Sequence, residues 1–263
     1  MRKYYGSRNN INANVCELGL PKGTYYAQIT TQDAGTWSSD YYSLQIDFAS
    51  KYLMTTTING KEGLYYFVNG KVDTTYTGFV AYNNSWWYVR NGKVDTTFTS
   101  VEKGTVNGKT GWWRIENGKV NLNCNSVEKN SNGWWYIRNG KVDFNFTGLA
   151  KNTYGIWYCK KGKVQFNTTD VLYSKGTLYN GWYYVKKGQL QTGKTTVEKN
   201  GSGWWYIGKD GKVDFSFTGI ASNAYGSWYL EKGKVSFSKN IKSYTDPHTK
   251  LKYRVVRGKA TRI

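Results

Sequence analysis

Residues 133–146 read Gly-Trp-Trp-Tyr-Ile-Arg-Asn-Gly-Lys-Val-Asp-Phe-Asn-Phe. Their centre, Asn139-Gly140, is the strongest short signal for a two-residue β-hairpin, because a type I′ turn needs a positive φ at both positions. An aromatic strand leads into this turn. After it, Val142, Phe144 and Phe146 alternate with polar residues, which is the period of a β-strand. The stretch therefore predicts a β-hairpin whose return strand extends to Phe146.

The same hairpin recurs along the chain. Its turn glycine occurs nine times, eight times before Lys and once before Gln, at Gly70, Gly92, Gly118, Gly140, Gly162, Gly188, Gly211, Gly233 and Gly258. Glycines three copies apart are separated by 70 or 71 residues, so the nine units group into three super-repeats. A lone hairpin is marginally stable in water, so such units must stack on one another. We therefore predict an all-β solenoid of nine hairpins, three per turn, over residues 58–263.

Four positions of the aromatic strand differ in character, and the copy quoted above shows them as Trp134, Trp135, Tyr136 and Ile137. Position four is apolar in every copy. Position two shares its face and is always aromatic, so both are predicted to face a core. Position one varies between Trp, Leu, Ile, Ser and Lys, which a core position does not tolerate. Its large rings are therefore predicted to be exposed or only partly covered.

Positions one and three of five hairpins are the candidate ligand-binding residues. A flat ring with a hydroxyl or guanidinium group beside it suits a sugar, because it offers an apolar stacking face and a polar group. The predicted residues are Trp86, Tyr88, Trp112, Arg114, Trp134, Tyr136, Trp182, Tyr184, Trp204 and Tyr206.

Composition excludes several classes of protein. The chain has 263 residues, 17% of them aromatic, and a net charge of +20. No stretch approaches the ~20 apolar residues of a transmembrane helix, and Met1–Asn10 has no apolar segment typical of a signal peptide. One His and three Cys without metal-ligand spacing predict no metal, no cofactor, no catalytic residues and no disulfide framework. Cys124 and Cys159 are predicted to be small core residues, and His248 a surface residue.

Two charged positions also repeat. The Lys after each turn has two interpretations: it aligns into an anion-binding row, or it keeps the hairpin ends soluble. Asp residues recur after Gly-Lys-Val, at Asp73, Asp95, Asp143 and Asp214. A pair of catalytic carboxylates would have to share one pocket, whereas these four lie on separate hairpins. They are therefore predicted to be surface residues that pair with nearby Lys.

The repeat resembles the cell-wall-binding (choline-binding-like) repeats of Gram-positive surface proteins, and also the glucan-binding repeats of glucansucrases. The matching motifs are Trp134-Trp135-Tyr136-Ile137, Asn139-Gly140-Lys141 and Thr147-Gly148, and they recur from about Lys61 to Ile263. The resemblance implies a β-hairpin solenoid without catalytic activity, which anchors a protein to teichoic acids or binds glucans. It also implies that ligands lie between consecutive hairpins, in aromatic clefts.

One position departs from the choline-binding pattern. In that family a Trp normally follows the Thr-Gly after the hairpin, whereas Phe79, Leu149 and Ile220 stand there in this chain. A net charge of +20 also repels a choline cation. These two features favour a neutral glycan or an anionic wall polymer as the ligand.

Residues 1–57 differ in composition from the repeats. Leu20–Ile29 and Asp40–Phe48 are predicted to be two strands and resemble part of a bacterial pre-peptidase C-terminal β-sandwich domain. This likeness favours a secreted bacterial protein whose upstream sequence, with its signal peptide, is missing from the chain.

The sequence therefore predicts a non-catalytic module that binds a polysaccharide or an anionic cell-wall polymer at the bacterial cell surface. Two alternatives stay open. Charge and aromatic content also suit a nucleic-acid-binding surface, although the repeat matches no nucleic-acid-binding fold. Adhesion to a host protein is the other alternative.

Overall fold

A computed structural model describes residues 50–263. The predicted N-terminal segment, residues 1–57, lies almost wholly outside these residues, and its division from the repeats stays a prediction. The described residues form two compact units, one made of residues 50–98 and Asn117–Lys119, the other of Thr99–Glu116 and Val120–Ile263.

The repeating element has three strands, and residues 50–263 contain no helix. A leading strand comes first, in the nine copies β1 (Lys51–Ile58), β4 (Gly78–Tyr82), β7 (Ser100–Val106), β10 (Ser126–Asn130), β13 (Gly148–Asn152), β16 (Asp170–Lys175), β19 (Thr196–Asn200), β21 (Gly219–Asn223) and β24 (Ile241–Thr245). The aromatic strand follows as β2 (Lys61–Val68), β5 (Ser85–Arg90), β8 (Lys109–Glu116), β11 (Gly133–Arg138), β14 (Gly155–Lys160), β17 (Asn180–Lys186), β20 (Gly203–Ile207), β22 (Gly226–Glu231) and β25 (Lys252–Val256). Short return strands are β3 (Lys71–Val72), β6 (Lys93–Val94), β9 (Lys119–Val120), β12 (Lys141–Val142), β15 (Lys163–Val164), β18 (Gln189–Leu190), β23 (Lys234–Val235) and β26 (Lys259–Arg262).

The seventh hairpin closes with a single bridge, Ile207 to Val213, instead of a return strand. All strand pairs are antiparallel, as β10, β11 and β12 illustrate: β10 pairs with β11 over five residues, and β11 with β12 over two. The type I′ turn is confirmed, because Asn139 has φ 49° and Gly140 has φ 74°. The predicted all-β hairpin solenoid is therefore confirmed as the fold class.

The return strand is shorter than the sequence predicts. It ends at Val142, and the chain then turns, so that Phe144 is exposed while Phe146 is buried. The cause is Asp143, whose Oδ1 accepts a hydrogen bond from the Asn145 amide at 3.0 Å. Such a local bond competes with the strand ladder. The predicted alternation of one face through Phe146 was therefore wrong.

The recurring Asp residues cap this turn. The carboxylates of Asp73, Asp95 and Asp214 each accept bonds from the amide and hydroxyl of the Thr or Ser two residues later. The hydroxyl bonds are the main cause of the lowered pKa of these three carboxyls. The predicted partner was Lys, but the ion pairs formed by Asp95 and Asp143 are with arginines, Arg90 and Arg138.

The cores are small clusters repeated along the chain. Position four is the centre of each, as predicted; Ile137, Cys159 and Val185 have no exposed surface. Burial raises the pKa of the Cys159 thiol to about 12 and that of Cys124 to about 11. Both are free thiols packed among apolar side chains, as predicted. Cys16 lies outside the described residues.

Candidate functional site

Position-one tryptophans pack against rings of the following hairpin. Trp134 of β11 lies 5.3 Å from Trp157 of β14, measured between ring centroids. It also makes edge contacts at 5.7 Å with Tyr154 and with Phe166. Phe166 in turn contacts Trp157 at 5.5 Å. We call these four residues cluster A.

The same arrangement recurs one super-repeat later as cluster B, made of Trp204, Tyr225, Trp228 and Phe237. Trp204 lies 5.0 Å from Trp228, 6.0 Å from Tyr225 and 6.1 Å from Phe237. Tyr225 is 73% exposed, like Tyr154 of cluster A at 70%. Both clusters belong to the larger unit. Each cluster therefore combines half-buried tryptophans with a tyrosine and a phenylalanine that are exposed to solvent.

An asparagine holds each cluster together. Asn152, the last residue of β13, accepts bonds on Oδ1 from the Tyr154 amide at 2.9 Å and from the Trp157 indole at 3.0 Å. Its Nδ2 donates to the Val127 carbonyl of the preceding hairpin at 3.1 Å. Asn223 makes the same three contacts in cluster B. These asparagines are not among the residues predicted from the sequence, although an Asn five positions before the position-two Trp is a repeated signal.

Two other position-one tryptophans have fewer ring partners. Trp112 packs on the core that contains Ile137, beside Trp135, and Trp135 contacts Phe144 at 5.8 Å. Trp182 is 38% exposed and meets Tyr173 of the leading strand at 5.6 Å. Trp86 is partly buried.

Position three shares the face of position one but packs more deeply. Tyr88 and Tyr184 are both only 8% exposed. Tyr136 stacks on Phe146 at 4.0 Å and Tyr206 on Phe217 at 3.8 Å. Tyr136 and Tyr206 belong to the same apolar clusters as Trp134 and Trp204, so they support these tryptophans from the core side.

Arg114, the remaining position-three candidate, is held by an ion pair. Its guanidinium lies 3.0 Å from the carboxylate of Glu128. The role of all ten predicted residues in ligand binding stays a prediction.

Position two is not confined to the core. Trp157 and Trp228 were predicted to be structural, yet they are half-buried and form one wall of clusters A and B. The reason is that the position-one face of each hairpin packs against the position-two face of the next.

The repeated turn lysine has a role inside the fold. The Nζ of Lys163 lies 5.2 Å from the ring centroid of Trp135 in the preceding hairpin, and Lys234 lies 5.0 Å from Trp205. The two residues of each pair are also partners in a β-bridge. The other such pairs are Lys93 with Tyr65, Lys119 with Trp87, Lys141 with Trp113 and Lys212 with Tyr183. These lysines are therefore cation–π partners of the fold, a role that neither interpretation from the sequence included.

A glycine makes room for five of these six lysines; Lys119 is the exception, because Ser85 stands where its hairpin would have the glycine. A Cβ added to Gly111 would lie 2.0 Å from Cε of Lys141, and one added to Gly133 would lie 2.8 Å from Cε of Lys163. Gln189 occupies the equivalent place beside Trp157 and donates to the Tyr154 carbonyl at 3.3 Å. Cluster A thus has a neutral amide where the other hairpins have an ammonium group.

A cavity of about 460 Å³ lies beside the stacked rings of Tyr206, Phe217 and His248. Phe217 has a ring on each face, at 3.8 Å and 4.8 Å, so it offers no stacking face to a ligand. His248 is exposed, as predicted, and its Nε2 lies 3.1 Å from the Thr218 carbonyl.

No three His, Cys, Asp or Glu side chains in residues 50–263 come close enough together to hold a metal ion. No helix there is long and apolar enough to span a membrane.

The repeats of this chain match a known protein family. A family model described as choline-binding repeat matches seven stretches, just over half of the chain, at residues 75–95, 102–121, 125–143, 145–165, 179–191, 193–214 and 216–236. Among solved structures, choline binding protein F from Streptococcus pneumoniae is similar at 14% identity and a TM-score of 0.29, over 82% of this chain and 94% of that one. An alternansucrase in complex with isomaltononaose is similar at 16% identity and a TM-score of 0.20, over 78% of this chain and 18% of that one. No curated protein matches the chain.

Proposed function

The chain belongs to the choline-binding repeat family, as its repeats predicted, and from this premise we propose that it binds a cell-wall polymer without catalysing a reaction. The binding anchors a secreted bacterial protein to the cell surface. The observation that carries the proposal is the pair of equivalent four-ring clusters, A and B, in successive super-repeats.

The chemistry of the clusters suits a saccharide or polyol chain. Tryptophan and tyrosine rings offer apolar faces and edges at a small cost in side-chain entropy. Trp157 and Trp228 are oriented in advance by their indole hydrogen bonds to Asn152 and Asn223. Binding therefore does not have to order these rings, and such preorganisation increases affinity.

Repetition of the site suits a polymer in particular. A long ligand that occupies one cluster has a high effective concentration at the second. Two weak sites on one chain then hold the polymer more firmly than either does alone. This is the behaviour that anchoring requires.

The test is co-sedimentation with isolated, protein-free Gram-positive cell walls. The variant Trp134→Ala/Trp204→Ala removes the ring that contacts the other three rings in each cluster. If each ring contributes about 1–3 kcal/mol, as for stacked bases, the double variant loses more than tenfold in affinity. Because these tryptophans are half-buried, Tyr154→Ala/Tyr225→Ala is a second variant that truncates only exposed rings.

The matched control is Leu178→Ala, which truncates an apolar turn residue that is 83% exposed and outside both clusters. It should sediment like the unaltered chain. Folded cluster variants that also sediment like the unaltered chain would overturn the proposal. So would tighter binding to single-stranded DNA than to cell walls, which would favour the nucleic-acid alternative.

A further inference from the structure

A lysine faces each of the two clusters from the neighbouring strand. Lys129 of β10 is the direct cross-strand partner of Trp134, and Lys199 of β19 is that of Trp204. Direct partners of an antiparallel pair lie on the same face with Cβ atoms about 4.5–5.5 Å apart. Each lysine side chain therefore starts beside the position-one ring of a cluster, on the same face of the hairpin, so its ammonium group can reach a ligand on the rim of that cluster.

These lysines are available to a ligand. Lys129 and Lys199 are exposed, and neither forms an ion pair within residues 50–263. This separates them from the turn lysines, which lie over rings of the preceding hairpin. The same pairing occurs a third time, between Lys103 and Trp112.

The neighbouring carboxylates are turned away from the clusters. Glu128 precedes Lys129 and so points to the opposite face of the strand, where it forms the 3.0 Å ion pair with Arg114. Glu198 stands in the same place before Lys199 and accepts a bond from the Thr196 hydroxyl at 3.1 Å. The charge of each lysine is thus not neutralised by its neighbour on the strand.

A cation on the rim works against choline as the ligand. A quaternary ammonium group is attracted by ring faces, but an adjacent ammonium group repels it. The residues that replace the family's cage tryptophan, Phe79, Leu149 and Ile220, are buried in the repeat cores. The charge of the clusters and of the whole chain favours an anion instead.

We propose that clusters A and B bind an anionic saccharide polymer, with a sugar or polyol unit on the rings and a phosphate or carboxylate on Lys129 or Lys199. This inference rests on the proposed function and names its ligand class. An ammonium–anion bond of this kind is charge-assisted and therefore strong. It also makes binding depend on salt, because each neutralised anion releases a counterion.

The test uses the full chain, and calorimetry or surface plasmon resonance with four probes: a ribitol-phosphate polymer, a polyuronate, neutral dextran and choline chloride. The variant is Lys129→Gln/Lys199→Gln. The control is Lys151→Gln, which removes the same charge from the same strand position opposite Ile156. Both should leave the fold unchanged, because the substituted side chains are exposed.

We expect an anionic polymer to bind more tightly than dextran. Comparison of the affinities for the ribitol-phosphate polymer and the polyuronate then shows whether the preferred anion is a phosphate or a carboxylate. The double variant should lose about tenfold in affinity, and its log–log salt dependence should be shallower by about 1–2. Lys151→Gln should change the affinity less than twofold.

Three results overturn the inference while the proposed function stands. They are equal binding of dextran and the anionic polymers, equal effects of the double variant and Lys151→Gln, and displacement of the polymer by choline. Tighter binding to single-stranded DNA, or an unaltered affinity in the Trp134→Ala/Trp204→Ala variant, overturns the proposed function itself.

Discussion

At the scale of single residues, four of the nine leading strands end in an asparagine that makes the same set of hydrogen bonds. Asn130, Asn152, Asn200 and Asn223 each join three groups: a turn amide, a position-two indole and a carbonyl of an earlier hairpin. One carboxamide therefore sets the turn, orients the ring and connects two repeats. No other side chain offers a donor and an acceptor at this reach with so little bulk.

We predict that Asn200→Ala lowers the free energy of unfolding by about 2 kcal/mol, because it leaves the Trp205 indole and the Val171 carbonyl without partners. Thermal or urea unfolding checks the loss, and the indole N–H resonance of Trp205 reports the broken bond. The control is Asn167→Ala, an exposed turn position. It should change stability by under ~0.5 kcal/mol. Equal stability of the two variants would contradict this role.

At the scale of the structural element, hairpins are connected by a lysine that passes a glycine and covers a ring. Lys141 illustrates the contact: its Nζ donates to the Thr110 carbonyl at 2.8 Å and lies 5.4 Å from the centroid of Trp113. Backbone bonds run alongside, such as the Arg114 amide to the Gly140 carbonyl at 2.8 Å. These two hairpins are therefore joined by main chain and side chain together.

We predict that Gly111→Ala destabilises the chain, because the new Cβ would lie 2.0 Å from Cε of Lys141. The lysine side chain must move away from the Trp113 ring, so the expected cost is about 0.5–1 kcal/mol, the contribution of a cation–π contact at an exposed site. Gly201→Ala, where a Cβ meets nothing within 4 Å, is the control.

Lys141→Ser removes the clash together with the cation–π contact. The double variant Gly111→Ala/Lys141→Ser should therefore lose less unfolding free energy than the two single variants lose in total. Chemical denaturation of the four proteins completes the cycle. Additive losses would show that the glycine and the lysine are not coupled.

At the scale of the whole molecule, the hairpin repeat and its core positions are predictable from sequence, because they depend on contacts within one hairpin. Asn139-Gly140 specifies the turn, and the strand period places Ile137 in the core. The lysine–glycine contact depends on two different hairpins, so the pattern within one repeat does not show it. The constant spacing of about 30 residues between Gly111 and Lys141, and between Gly133 and Lys163, is the signal that was present.

The candidate site was predictable only in part for the same reason. Trp134 and Trp204 stand out because position one tolerates polar residues elsewhere. Their partners Phe166 and Phe237 come from the next hairpin, two residues after its return strand ends at Val164 or Val235. Strand alternation therefore misplaces these rings.

The central claim is that clusters A and B are the binding sites, and the stoichiometry of binding tests it most directly. Isothermal titration of a purified wall-polymer fragment, short enough to occupy one cluster, counts the molecules bound per chain. We predict that Trp134→Ala and Trp204→Ala each remove one bound molecule, and that the double variant removes two, while circular dichroism shows all three proteins folded. An unchanged number of bound molecules in the folded double variant would contradict the claim.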